Sequence, residues 1–100
     1  MAEPVHVIGA SGRSGRALVT ALEARGVPVV ALVRDRSRWR GNAARVADLR
    51  DLDALRSALA DAKRVVSCAQ ARHTAAILSA APAGAAFVLL GSTRKFTRWP

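Results

Sequence analysis

The sequence has no tyrosine, a single cysteine and only 4% aromatic residues. The lone thiol, Cys68, excludes an internal disulfide framework and makes a reducing compartment, the cytoplasm, the expected location. The two histidines, His6 and His73, are far apart and lack neighbouring acids, so no metal-ligand cluster is expected. Acids are scarce as well: 7 Asp and Glu against 16 Lys and Arg leave a net charge of +9. Such an excess suits nucleic acid, a membrane surface or a phosphate-bearing ligand. No basic run exceeds two residues, and aromatics are not interleaved with the arginines as base stacking requires. Nucleic acid is therefore disfavoured as a partner, and most of these arginines read as solvated surface.

Long apolar runs are also missing. Met1-Ala2-Glu3-Pro4 carries an acid and a proline, and Val5 to Ala10 is too short for a secretory core. Thr74 to Thr93 is a stretch of twenty residues without a formal charge, long enough to span a bilayer. Pro82 and Gly84 interrupt it and alanine dominates its first half, so it reads as a short helix, a turn and a buried strand. No membrane span is expected.

What is present is a foldable composition. Hydrophobic residues make up 51% and charged residues 23%, which excludes disorder, and 22 alanines predict a core of small side chains. A chain of 100 residues has the length of one domain and can bury roughly two-thirds of its unfolded surface.

The hydrophobic pattern alternates between two periods. Val5-His6-Val7-Ile8 is a β-branched run that stops at Gly9, and Arg13 to Arg25 carries Leu18, Ala21, Leu22 and Arg25 at helical spacing. Gly26 marks the helix end and Pro28 bars its continuation. Val29 to Val33 reads as a strand covered on both faces, followed by a charged loop with one turn over Arg36 to Asn42. Arg45-Val46-Ala47 reads as a third strand, and Leu52 to Ala60 as a helix capped by Asp51. Arg64 to Cys68, His73 to Ala81 and Ala86 to Leu90 complete a strand, a helix and a fifth strand. This alternation predicts an α/β fold, a doubly wound, Rossmann-like parallel sheet of five strands in order 3-2-1-4-5.

The chemistry concentrates in Gly9-Ala10-Ser11-Gly12-Arg13-Ser14-Gly15, between the first strand and the first helix. Gly9 permits a sharp turn, Gly12 lets backbone N–H groups approach a pyrophosphate, and Gly15 lets the helix pack closely on the sheet. Ser11 occupies the place where the standard dinucleotide fingerprint has its second glycine, so a plain tight turn is the competing reading.

GASGRSG, then a helix, then VVALVRD resembles the start of the extended and atypical branches of the short-chain dehydrogenase/reductase superfamily, including epimerase/dehydratase-like members. The likeness runs over essentially the whole chain. It implies one dinucleotide-binding domain over residues 1–100, which the resemblance makes the N-terminal part of a longer protein. It also implies that Gly9, Gly12 and Gly15 line the pyrophosphate with Ser11 and Arg13 beside it. By the same likeness Asp48 and Leu49 lie beside the adenine, and Ser67 and Cys68 beside the nicotinamide ribose.

An acid after the second strand would hold a ribose 2′-hydroxyl, whereas an arginine accommodates a 2′-phosphate. Arg34 comes first here, with Arg13 and Arg36 able to converge on the same phosphate, so NADP is expected over NAD. Asp35, one residue on, is the detail that favours NAD. Superfamily enzymes pair a Tyr-x-x-x-Lys with a serine, and no tyrosine occurs in these residues. Ser92, after the fifth strand, stands at the place of the catalytic hydroxyl without that partner; Ser92-Thr93-Arg94-Lys95 also fits Ser-x-x-Lys, a pattern short enough for chance. The expected function is the NADP-type domain of an oxidoreductase or epimerase/dehydratase acting on an unidentified small molecule. The alternatives are a nonenzymatic NAD(P) sensor and a basic nucleic-acid-binding module. A five-stranded sheet ending at Leu90 leaves a bare edge, so self-association or uptake of a further segment is expected. His6 and Cys68 read as packed core residues, and Trp39 and Trp99 as loop anchors over alanine-rich surface.

Overall fold

A computed structural model describes residues 3–41 and 44–90. It consists of β1 (Val5–Ile8), α1 (Arg13–Ala24), β2 (Val29–Val33), β3 (Ala44–Val46), α2 (Leu52–Ala58), β4 (Arg64–Ser67), α3 (Thr74–Ala80) and β5 (Ala86–Leu89), with 3-10 turns at Arg36–Arg38 and Ala71–His73. The five strands are parallel and ordered β3-β2-β1-β4-β5, as the alternation predicts. β1 lies at the centre with all four residues buried, because helices cover both faces of the sheet.

The period of two in β1 divides the core. Val5 and Val7 face Val19 of α1 together with Ala31, Val33 and Trp39. Ile8 faces the opposite side, where Leu55 and Ala58 of α2 meet Ile77 and Ala80 of α3. Trp39 is only 8% exposed and fills the α1 side, where α1 is the one α-helix among the described residues. α1 ends at Arg25, and Gly26 follows at φ 76°, the left-handed conformation that glycine adopts without strain. Asp51 caps α2 by accepting from the Ala54 N–H at 3.1 Å.

Several boundaries and one burial differ from the pattern reading. The third strand covers 44–46, and Ala47 lies just beyond it, donating its N–H to the Val33 carbonyl at 3.0 Å. α2 stops at Ala58, with Leu59 as its fully buried cap, rather than at Ala60. β4 ends at Ser67, so Cys68 belongs to the loop. The largest correction concerns β5, expected as a buried strand. Val88 is 52% and Leu89 48% exposed, because among the described residues β5 pairs with β4 alone, at the edge of the sheet. The alternation of elements places β5 at the edge, but apolar composition does not reveal how far an edge strand is covered. No helix among the described residues is long and apolar enough to cross a membrane.

Candidate functional site

Parallel pairing brings Ile8, Leu32 and Ser67 to one edge of the sheet, and the chain reverses its winding there, between β1 and β4. In open α/β sheets the crevice at such a switch point is where ligands bind. The turn from β1 to α1 crosses this edge, and each of its three glycines stands in a different environment. Gly9 has φ 76°, and a Cβ there would come within 3.2 Å of the Cys68 and Ala69 backbone at the end of β4. Gly15 is buried, and a Cβ would stand 2.1 Å from the Gly9 carbonyl oxygen and 2.7 Å from the Ala10 Cα. Gly12 differs from both: its φ is −76°, which any residue adopts, and the nearest atom to a Cβ would be the Gly9 oxygen at an ordinary 3.5 Å. The protein itself requires glycine at 9 and 15, while the side of Gly12 opens to solvent. Gly12 is the N-cap of α1 and no side chain caps it, so the first-turn N–H groups face outward at the positive end of a twelve-residue helix. Ser11 is half-buried and Arg13 exposed on this turn.

At the end of β2, Arg34 is exposed and makes no hydrogen bond or salt bridge among the described residues. Asp35 is committed elsewhere: its Oδ1 accepts from the Ser37 N–H at 3.0 Å and from the Ser37 hydroxyl at 2.7 Å. These bonds, foremost that from the hydroxyl, hold its carboxyl below the ordinary carboxylate range. Arg36 donates to the Trp39 carbonyl at 2.8 Å and Arg16 of α1 to the Arg38 carbonyl at 3.1 Å, so both are tied to the protein. Arg36 is thus engaged in its own turn, a use that its place in a charged loop does not reveal.

Beyond β3, Asp48 is gripped by Arg50 through both carboxylate oxygens, at 3.1 and 2.9 Å, which lowers its pKa to about 2. Leu49 is half-buried against the α2/α3 core. Ser67 is 1% exposed, and its hydroxyl accepts from the Ala69 N–H at 3.2 Å, so its side chain shapes the β4 turn from within. Cys68 is half-buried, and desolvation raises its thiol pKa, the behaviour of a packed hydrophobe. Ser92 and Trp99 lie outside the described residues.

The opposite end of the sheet holds a cleft of about 520 Å³ lined by Glu3, Asp61, Lys63 and Pro82 among others. Near it lies an arrangement that the sequence does not announce. His6 is fully buried, with Nε2 3.4 Å from the Asp61 carboxylate, which Arg45 clamps at 2.6 and 3.1 Å. Burial pushes the His6 pKa down, outweighing the attraction of Asp61, so the ring is neutral near pH 7. Neither ring nitrogen has a hydrogen-bond partner among the described residues. No signal in the sequence joins residues 6, 45 and 61; only the fold does. No group of three or more metal-ligating side chains occurs among the described residues.

A protein-family model described as NAD(P)H-binding matches residues 9–95. Among solved structures, the chain is similar to an NAD-bound short-chain dehydrogenase/reductase superfamily protein from Agrobacterium tumefaciens, with 26% identity and a TM-score of 0.75 over 91% of this chain and 33% of that one. It shares its fold with a Thermus thermophilus UDP-glucose 4-epimerase in complex with NAD, at 21% identity and a TM-score of 0.68 over 78% of this chain and 33% of that one. It likewise shares its fold with an Escherichia coli NADPH-dependent quinone oxidoreductase complexed with NADPH, at 24% identity and a TM-score of 0.71 over 85% of this chain and 35% of that one. The chain thus spans about a third of the length of these proteins. No curated protein sequence matches it.

Proposed function

The chain belongs to the NAD(P)H-binding family, and on that footing we propose that it is the NADP-type dinucleotide-binding domain of an oxidoreductase or epimerase/dehydratase. Gly9, Ser11, Gly12, Arg13 and Gly15 hold the pyrophosphate, Arg34 the 2′-phosphate, Asp48 and Leu49 flank the adenine, and the Ser67–Cys68 turn borders the nicotinamide ribose. The observation that carries this reading is Gly12. Its conformation and surroundings would admit a side chain, so the reason for glycine there lies outside the protein, in a group that approaches the backbone closely. The bare N-terminus of α1 supplies that group with N–H donors and a favourable dipole.

NADP is favoured over NAD because Arg34 remains available while Asp35 is engaged with Ser37. A bound nicotinamide accepts or donates hydride, and the substrate class in this reading is a carbonyl or sugar-like small molecule. The chain's own residues here bind and orient the dinucleotide. Apolar exposure at Val88, Leu89 and Leu90 beside the free edge of β5 belongs to the same reading, as a surface for self-association or for a further segment. The cytoplasm is its proposed location.

Titration calorimetry with NADPH tests the assignment. Gly12→Val should abolish binding, because its side chain fills the space a pyrophosphate needs, while circular dichroism remains that of the parent. Undiminished binding by the folded variant would overturn the site.

A further inference from the structure

The turn that follows β2 is an exposed, arginine-rich segment, yet five side chains hold it in place. Asp35 accepts two bonds from Ser37 within the turn, and Arg36 donates to the Trp39 carbonyl. Trp39, 8% exposed, roots the turn in the α1-side core. Arg16 reaches across from α1 to the Arg38 carbonyl at 3.1 Å. Arg16 stands one helical turn beyond Gly12, and its own N–H donates to the Gly12 carbonyl at 2.9 Å. One residue therefore connects the start of α1 with the segment that carries Arg34. Neither the stability of β2 nor the closure of the core calls for this connection, since Trp39 already anchors the loop.

We propose that Arg16 and Ser37 are positioning residues for cofactor selectivity. Arg16 ties the Asp35–Trp39 turn to α1 and Ser37 fixes the shape of the turn from within, so that Arg34, just before it, is held ready for the 2′-phosphate of a dinucleotide whose pyrophosphate lies at the α1 N-terminus. The inference rests on the NADP reading above. Its physical basis is preorganisation: an arginine next to an untied loop must have that loop ordered at the moment of binding, and the ordering cost comes out of affinity. The same bonds weaken Asp35 as a ribose acceptor, because its Oδ1 already accepts from two donors.

The test compares NADPH and NADH affinities by titration calorimetry, at low salt and at 0.5 M salt, for the parent chain and three variants. Arg16→Gln should lower the NADPH/NADH affinity ratio by about threefold to tenfold, the scale set by ordering one or two side chains. Arg16→Lys, which can still donate to the Arg38 carbonyl, should recover most of it. Ser37→Ala changes no charge and should lower the ratio by about twofold to fivefold, through weaker NADPH binding and, with Asp35 released from the hydroxyl, firmer NADH binding. Both losses should persist at high salt, where the influence of a distant charge is screened. A ratio unchanged in Arg16→Gln and Ser37→Ala, in a parent that prefers NADPH, overturns the inference and leaves the cofactor reading standing. So does an equal loss for both nucleotides, the mark of a merely structural role, or a loss confined to Arg16→Gln that vanishes with salt. A parent without preference for NADPH overturns both.

Discussion

At the N-terminal end of the sheet the side chains are paired with one another, whereas at the C-terminal end the backbone is left bare. Arg45 grips Asp61 with two bonds and Lys63 reaches Glu3 at 3.3 Å, around a cleft of about 520 Å³. The glycine turn at the other end presents the uncapped N-terminus of α1 and a glycine whose missing side chain no neighbour among the described residues requires. The cleft is walled by charges that already have partners, while the open turn offers main-chain donors that no side chain caps. A dinucleotide is long and suits a crevice crossed by a bare helix terminus rather than a closed chamber, so the proposed site rests on main-chain geometry and not on volume.

The comparison can be broken most severely at Gly15. A Cβ there would overlap backbone atoms of Gly9 and Ala10, which cannot yield without moving the turn. Gly15→Ala should destabilise the domain by about 3 kcal/mol or more and lose dinucleotide binding with the fold. Denaturant melts read the effect, and a midpoint within error of the parent would show that the turn is looser than its packing indicates. Set against Gly12→Val, which should lose binding and keep the fold, the pair separates structural from ligand-facing glycine within three residues.

Arg34→Asp sharpens the C-terminal side. Replacing a charge-assisted contact by a repulsive acid should weaken NADPH about tenfold to a hundredfold while NADH loses little or gains. An unchanged affinity ratio would reduce Arg34 to a solvated arginine. On the opposite end, Arg45→Met should lower the melting temperature by a few degrees, since Arg45 also donates to the Ala58 carbonyl at 2.8 Å, and leave NADPH affinity untouched. Any change in affinity there, measured on the folded variant, would dissolve the division between the two ends.

The smallest effect is a pH dependence. The folded state holds His6 below its ordinary pKa of 6.5, so the unfolded chain binds more protons as pH falls through that value. The His6 contribution is full above pH 6.5 and is lost as pH falls from there toward the lowered folded value. Asp48 and Asp61 are held below their ordinary 3.8, Asp48 at about 2, so their contribution is present above 3.8 and lost as pH falls below it. Stability should therefore fall in two stages on acidification. His6→Leu should abolish the first stage and keep the second, as chemical denaturation at successive pH values can show. A single carboxylate stage in the parent would mean that His6 is protonated alike in both states.

Much of this was legible in order along the chain. The β-branched run into Gly9, the helical spacing closed by Gly26 and Pro28, and the Asp51 cap are local signals, and each matches the observed element within a residue or two. What escaped is a matter of placement. Cys68 reads as part of β4 but falls just outside it, and β5, expected at the edge of the sheet, has the composition of a buried strand yet is half exposed. Composition records which residues avoid water in general, and how far an edge strand is covered depends on what packs against it.

The sequence by itself determined the alternation of strands and helices, the turn at Gly9, and the arginine that leaves β2. Those features depend on backbone conformation and on side chains a few residues apart. Tertiary structure alone decided that Gly15 is needed for packing while Gly12 is open, that Asp35 is consumed by Ser37, that Arg16 reaches Arg38, and that His6 meets Asp61. Each of these rests on a distance between atoms that the chain brings together only by folding, and a sequence carries no distances.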